Sequence, residues 1–192
     1  MIYIIRHGQT EMNSRRLLQG RSDHPLNAAG IAQAEAAAAR LKGVAFAAVY
    51  TSPLARAVQT ARIIAPALEP VPDPRLIEMD CGPYEGTDLR RLPPEIVHFF
   101  SDFAHNPAPR GMEPLAEVVR RAGDFLEERC RTGENILIST HAIAMKGMLE
   151  YLTPASEGAY WSKTIGNCAV YITDYRDSAF TVPEEMSDRE HL

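Results

Sequence analysis

The sequence predicts an α/β fold: a three-layer sandwich with a mostly parallel sheet, helices on both faces and one short lid excursion. Three observations carry that reading. Short apolar runs at 2–5, 46–52 and 135–140 are each followed by a helix-type segment, and β-then-α units of this kind favour a parallel or mixed sheet. The chain has 192 residues, 45% of them hydrophobic, which is enough for one well-filled core. One stretch, 82–114, breaks the alternation with Gly82, Pro83, Gly86, Pro93, Pro94, Pro107, Pro109, Gly111 and Pro114. It reads as a lid passing over the sheet.

Taken in order, Ile2-Tyr3-Ile4-Ile5 is the first strand, and it ends abruptly on Arg6-His7-Gly8. Residues 28–42 are rich in alanine, a strong helix former, and Gly43 is placed to stop them. The second strand, 46–52, runs into Pro53, expected in the first turn of the helix over 54–68. Within the lid, 95–103 is a short amphipathic piece. The third strand, 135–140, precedes a helix over 141–152. Residues 168–175 and 179–182 form a terminal pair turning at Asp177-Ser178. The organisation is one domain over 1–183 with a polar tail over 184–192, expected to be frayed.

Composition excludes some function classes. The net charge is −5, against a nucleic-acid or anionic-membrane binder, which needs an extended basic face. The three cysteines, Cys81, Cys130 and Cys168, have neither CxxC spacing nor a disulfide pattern. With no signal-type N-terminus and no long apolar run, the reading is a cytoplasmic protein in a reducing compartment. A homodimer stays open, since the terminal strands could pair between chains.

Ligands of open α/β sheets bind beyond the carboxyl ends of the strands. Two strands here end on a histidine, His7 and His141, and a third ends one turn before Arg56. Two arginines, Arg6 and Arg56, and two imidazoles at one sheet edge make a site for a small dianion such as phosphate. A neutral imidazole can attack phosphorus in line, and the resulting N–P bond is open to water. Neighbouring arginines disfavour the imidazolium and so keep the nucleophile neutral. Arg6, Arg56 and a protonated His141 are expected to hold the equatorial oxygens. Glu78 and Asp80 are the carboxyls available as acid, because a carboxyl beside a phosphate dianion is driven toward its protonated form.

The segments "RHGQTEMN", "LLQGRSDHPLNAAGIAQA", "YTSPLARAVQTA", "LIEMDCGPYEG" and "ISTHAIA" resemble, in order, those of the histidine phosphatase superfamily, also called phosphoglycerate mutase-like. The resemblance spans 2 to about 170. It implies that His7 is the phosphorylated nucleophile. It also implies that Arg6, Arg56 and His141 bind the phosphoryl group, with contacts from Asn13, Gln19 and Gly20. Glu78 matches the proton donor, and Asp80 becomes its neighbour. No metal and no organic cofactor is implied. Two departures stand out: Ala142 and Ile143 follow the second histidine where glycines are common, with the Ala142 N–H still available to phosphate. Glu113 is flanked by Met112 and Pro114 in place of a Gly-Glu-Ser.

A mutase must keep water from its phosphohistidine under a longer, basic insertion. The lid here is short and offers Arg90, Arg91 and Arg110. The expectation is therefore a phosphatase acting on a small phosphorylated metabolite, with Phe99, Phe100 and Phe103 available as apolar lining. Phosphoglycerate mutase or sugar-bisphosphatase activity is one alternative. A non-catalytic phospho-ligand binder is another, although a binder would need neither His7 nor Glu78.

Overall fold

The structure, a computed structural model, describes residues 1–186. Strand β1 (Ile2–Arg6) shows how the layers arise. Successive side chains of a strand point to opposite faces. Ile2 and Ile4 join one core cluster with Phe125, Leu126, Met145 and Leu149. Tyr3 and Ile5 join another with Ala34, Ala37, Ala61 and Ile64. A helix therefore covers each face.

The first face is covered by α5 (Leu115–Arg129) and α6 (Ala142–Leu152). The second carries α2 (Ala28–Arg40) and α3 (Ala55–Ile64), between which β2 (Ala48–Thr51) runs. The Asn27 side chain caps α2 by accepting the Gly30 N–H at 2.9 Å. The helix ends at Arg40, and Gly43 takes a left-handed φ of 96° just beyond it. Pro53 lies outside α3, before its N-cap Leu54, which corrects its expected place in the first turn. Helix α5 and the edge strand β3 (Val71–Pro72) are elements that the sequence reading leaves unassigned.

The main sheet has six strands in the order β3-β2-β4-β1-β5-β8, where β4 is Ile136–Thr140, β5 is Val170–Thr173 and β8 is Glu184–Glu185. Strands β3, β2, β4 and β1 run parallel, and β5 is antiparallel to β1. The predicted mostly parallel α/β sandwich is the fold. The expected frayed tail from 184 is corrected at its start: Tyr171 and Ile172 pair with Glu185 and Glu184. The Tyr171 hydroxyl also donates to Glu185 Oε2 at 2.8 Å. The rest of that tail, 187–192, lies outside the described residues. The terminal pair is a separate two-stranded hairpin of β6 (Tyr175–Arg176) and β7 (Ala179–Phe180). Asp177 and Ser178 both have positive φ, 50° and 65°, as a tight two-residue hairpin turn requires.

The lid packs against the body of the fold. Within it, α4 (Pro94–Ser101) buries Ile96 and Phe99. These meet Met79, Cys81, Met112 and Val118 in a third cluster, and Val118 belongs to α5. Met112, one of the two departures beside Glu113, is therefore a lid-core residue, and Pro114 is the N-cap position of α5. Among the described residues no helix is long and apolar enough to cross a membrane.

Candidate active site

Sheet order decides which chain segments meet. Strands β2, β4 and β1 are adjacent, so Ser52, His141 and His7, each just past a strand end, converge at one edge. The backbone ties them in register: the His7 N–H donates to Thr140 O at 2.9 Å and the Ser52 N–H to Ser139 O at 3.0 Å. The His7 and His141 rings stand 5.0 Å apart between centroids, inclined at 62°. The turn after His7 is tight because Gly8 packs on Gly30 at the start of α2. A Cβ on Gly8 would collide with the Gly30 carbonyl.

Hydrogen bonds assign both tautomers. His7 Nδ1 lies 2.6 Å from Gly8 O. A carbonyl only accepts, so Nδ1 carries the proton and Nε2 keeps a free lone pair. Burial, then Arg56 and Arg6, push the His7 pKa well below its ordinary value, so the ring is neutral at neutral pH. For His141, Arg56 Nε donates to Nδ1 at 3.2 Å, and a guanidinium has no acceptor. The proton of His141 is thus on Nε2, which donates to Ser52 Oγ at 2.7 Å. Burial and the neighbouring Arg56 lower its pKa as well. The expected protonated His141 is corrected: fully buried beside Arg56, the ring is neutral.

Arg56 is fully buried. It also donates to Ser22 O at 2.7 Å and Gly20 O at 2.6 Å. Arg6 donates from Nη1 to Ile165 O at 2.5 Å, and its Nε is buried without a partner. Gln19 behaves likewise. Its Oε1 accepts from Thr10 Oγ1 at 2.7 Å and Asn13 Nδ2 at 3.3 Å, while its Nε2 is buried and unpartnered. Among the described residues three buried side-chain polar atoms lack a partner, and these two both line the cavity beside His7. Buried orphan donors are costly unless a ligand meets them, and two on residues that line one cavity suit an acceptor-rich anion.

Glu78 lies against the N-terminus of α6. Its Oε1 accepts the N–H groups of Met79 at 2.8 Å and Ala144 at 2.9 Å, and Oε2 that of Ile143 at 3.2 Å. The helix's positive end so holds this carboxylate, while the first helical residue, Ala142, lines the cavity. An ion-pair network braces the loop that carries Glu78. Arg21 Nε donates to Glu78 O at 3.2 Å, and Arg21 pairs with Asp80 at 3.3 Å and Glu113 at 3.2 Å. Glu113 in turn pairs with Arg121 at 2.9 Å. Asp80 is thus a structural neighbour of Glu78.

The cavity has a volume of about 660 Å³ and includes Arg6, His7, Asn13, Gln19, Glu78 and Ala142 in its wall. Gly20, Arg56 and His141 are not in its wall; the His141 ring packs against that of His7 and Arg56 bonds to His141. Gly20 serves its neighbours instead, its N–H donating to Glu85 Oε1 at 2.9 Å and its carbonyl held by Arg56. Four residues that sequence reasoning missed complete the arrangement. Ser52 holds His141, Thr60 Oγ1 accepts the Gly8 N–H at 3.1 Å, Asn167 Nδ2 donates to His7 O at 3.0 Å, and Glu85 grips the Gly20 turn. Ser52, Thr60 and Glu85 lie inside quoted motifs; Asn167 carries no local signal. Among the described residues no group of three or more His, Cys, Asp or Glu is placed to hold a metal ion.

A family model for the histidine phosphatase superfamily (branch 1) matches residues 2–186. The chain belongs to the histidine phosphatase superfamily. Among its curated relatives is a Yersinia enterocolitica protein named "Probable phosphoglycerate mutase GpmB", 32% identical over all of this chain and 94% of the relative. Among solved histidine phosphatase structures, a mutant phosphoserine phosphatase from Entamoeba histolytica in complex with phosphoserine is 26% identical. It has a TM-score of 0.86 and covers 100% of this chain and 98% of the other. The α-ribazole phosphatase from Shigella flexneri is 27% identical, with a TM-score of 0.82 over 94% of this chain and 93% of that one. As a superfamily member, the chain is of a phosphatase or mutase type, and its fold is the phosphoglycerate mutase-like one.

Proposed function

We propose that this chain is a phosphatase that hydrolyses small phosphomonoesters through a phosphohistidine on His7, without a metal ion. The observation that carries the reading is the neutral His7, its Nδ1 proton held by Gly8 O, presenting Nε2 in a cavity where Arg6 Nε and Gln19 Nε2 are unpartnered. Nε2 attacks phosphorus, the ester P–O bond breaks, and the leaving oxygen takes a proton from the Glu78 carboxyl. Water then attacks the phosphohistidine, Glu78 receives its proton, and the P–N bond breaks to release inorganic phosphate. Glu78 Oε2, with its single longer bond to Ile143, has capacity for that proton. Arg6 and Gln19 meet the phosphoryl oxygens, with the Ala142 N–H and Asn13 beside them. Arg56 and His141 act through His7, the Arg56 charge both disfavouring its imidazolium and drawing the dianion.

The substrate is a small phosphorylated metabolite, in keeping with relatives named for phosphoserine and α-ribazole phosphatases. A second reading, mutase activity, is favoured by the name of the curated relative. Against it, none of Arg90, Arg91 and Arg110 is in the cavity wall, so the lid brings no basic cover to exclude water. The three free, buried cysteines support a reducing cytoplasmic setting.

The test is turnover of p-nitrophenyl phosphate and a metabolite panel, with and without EDTA. Phosphate release that survives EDTA and is abolished in His7→Ala is the expected result. Conversion of 3-phosphoglycerate to its 2-isomer without phosphate release would instead establish the mutase. Silence on every monoester would leave a phospho-ligand binder.

A further inference from the structure

Lys146 sits on α6, between Met145 and Gly147, and its neighbours along the helix are core residues: Met145, Met148 and Leu149. Lys146 is itself only 8% exposed, yet it lines the His7 cavity rather than the core. Its Nζ donates to Trp161 O at 2.7 Å and lies 5.6 Å from the centre of the Phe103 ring. Among the described residues Trp161 O is the only hydrogen-bond acceptor it reaches, although an ammonium has three protons to give. Burial pushes its pKa down to about 8, Glu78 pulling it back up and Arg6 acting in the same direction as burial. An apolar side chain of the same length would fill this position at no desolvation cost, whereas an ammonium with one carbonyl partner is expensive to bury.

The surroundings say what the ammonium is for. Phe103 stacks on Trp161 with ring centres 6.5 Å apart, and both rings are in the cavity wall with Phe100. This aromatic wall suits an apolar body. The cavity wall also carries an excess of positive charge, Arg6, Lys146 and Lys163 against Glu78. Phosphate accounts for Arg6. Lys163 is exposed and has the faces of Tyr160 and Tyr171 at 5.0 and 6.0 Å. That leaves Lys146, a buried cation of this wall that makes no ion pair among the described residues.

We propose that Lys146 is the specificity-determining group of the leaving-alcohol side: it binds a carboxylate carried by an otherwise apolar alcohol. The assignment rests on the phosphomonoester reading above. The preferred substrate class is then a phosphomonoester with two anionic ends, phosphate against His7 and carboxylate against Lys146, with an apolar span between them on Phe103 and Trp161.

Benzyl phosphate and 4-carboxybenzyl phosphate test this, because the remote carboxylate leaves the departing alcohol almost unchanged. In wild type kcat/KM should favour the carboxylated probe at least tenfold. Lys146→Met should collapse that ratio to within threefold of unity, through KM rather than kcat, and Lys146→Arg should restore part of it. The same two probes are titrated calorimetrically into His7→Ala, with and without Lys146→Met, so that binding is read without turnover. A Lys146-dependent preference in calorimetry with no turnover of either probe would sink the hydrolase reading and keep this one. Equal or absent binding of both probes, or a ratio untouched by Lys146→Met, overturns it. Should Lys146→Met fail to fold, Lys146→Gln takes its place under the same criteria.

Discussion

Arg56 donates a hydrogen bond from Nε to Nδ1 of His141 at 3.2 Å, and both side chains are fully buried. This contact holds the second histidine in a single neutral tautomer and sets a permanent positive charge near the first. It also makes both imidazoles reluctant to protonate, which has a measurable consequence.

Both folded-state pKa values lie well below the ordinary imidazole value, whereas the unfolded chain titrates near about 6.5. Between these values the unfolded state binds protons that the native state refuses. Stability is therefore fully present above about pH 6.5 and is lost as pH falls toward the folded values, by up to about 1.4 kcal/mol per pH unit for each histidine. Urea midpoints from pH 7.5 to 5 check this. The decline should shrink in a His7→Asn, His141→Asn double variant; an equal decline in both proteins would refute it.

Removing the guanidinium strands its acceptors. Arg56→Met leaves Ser22 O, Gly20 O and His141 Nδ1 without their donor inside the protein. Each such buried group costs about 1–3 kcal/mol, so denaturation should show a loss of at least about 2 kcal/mol. Arg56→Lys should recover only part, since an ammonium cannot reproduce the planar fork. Full stability in Arg56→Lys would count against this account.

Two adjacent phenylalanines of the lid should separate packing from substrate contact. Phe99 is fully buried in the lid cluster and does not line the cavity, so Phe99→Ala should cost about 3–5 kcal/mol. Phe100 is half-buried and lines the cavity. Phe100→Ala should cost less stability and raise KM for apolar phosphomonoesters. Thermal melts and Michaelis curves on both variants settle the matter; equal effects would contradict the split.

Glu113 braces the Glu78 loop from a distance. Glu113→Gln weakens its pairs with Arg21 and Arg121 and removes no group from the cavity wall. Expected are a destabilisation of about 1–3 kcal/mol, as for a hydrogen-bonded charge lost from a part-buried site, and a fall in kcat larger than any change in KM. The fall should be steepest for poor leaving groups, which depend most on proton donation. A uniform fall across leaving groups would argue for general loosening instead.

Much of the fold was legible because the code for it is local. Three apolar runs followed by helix-forming segments are properties of adjacent residues; β2 and β4 fall inside them, and β1 outruns its own only by Arg6. Asp177-Ser178 was readable as a turn for the same reason. Helix α5 starts directly after a proline-rich stretch, whose breaker residues mask the amphipathic period that follows. The edge strands β3 and β8 are only two residues each, too short for any period to show, and exist because a neighbouring strand offers them partners.

For the site, the sequence alone determined which groups are present: two strand-end histidines, two arginines and a carboxyl in ordered motifs. Residue type sets what a group can do, and strand ends set which edge it reaches. Protonation and access were decided by the tertiary structure. That His141 is neutral, that Arg56 is outside the cavity wall, that Phe100 lines the cavity while Phe99 packs in the core, and that Lys146 is buried beside Trp161 all depend on residues distant in the chain. Dielectric environment and hydrogen-bond partners are properties of the packed interior, and no run of neighbouring residues encodes them.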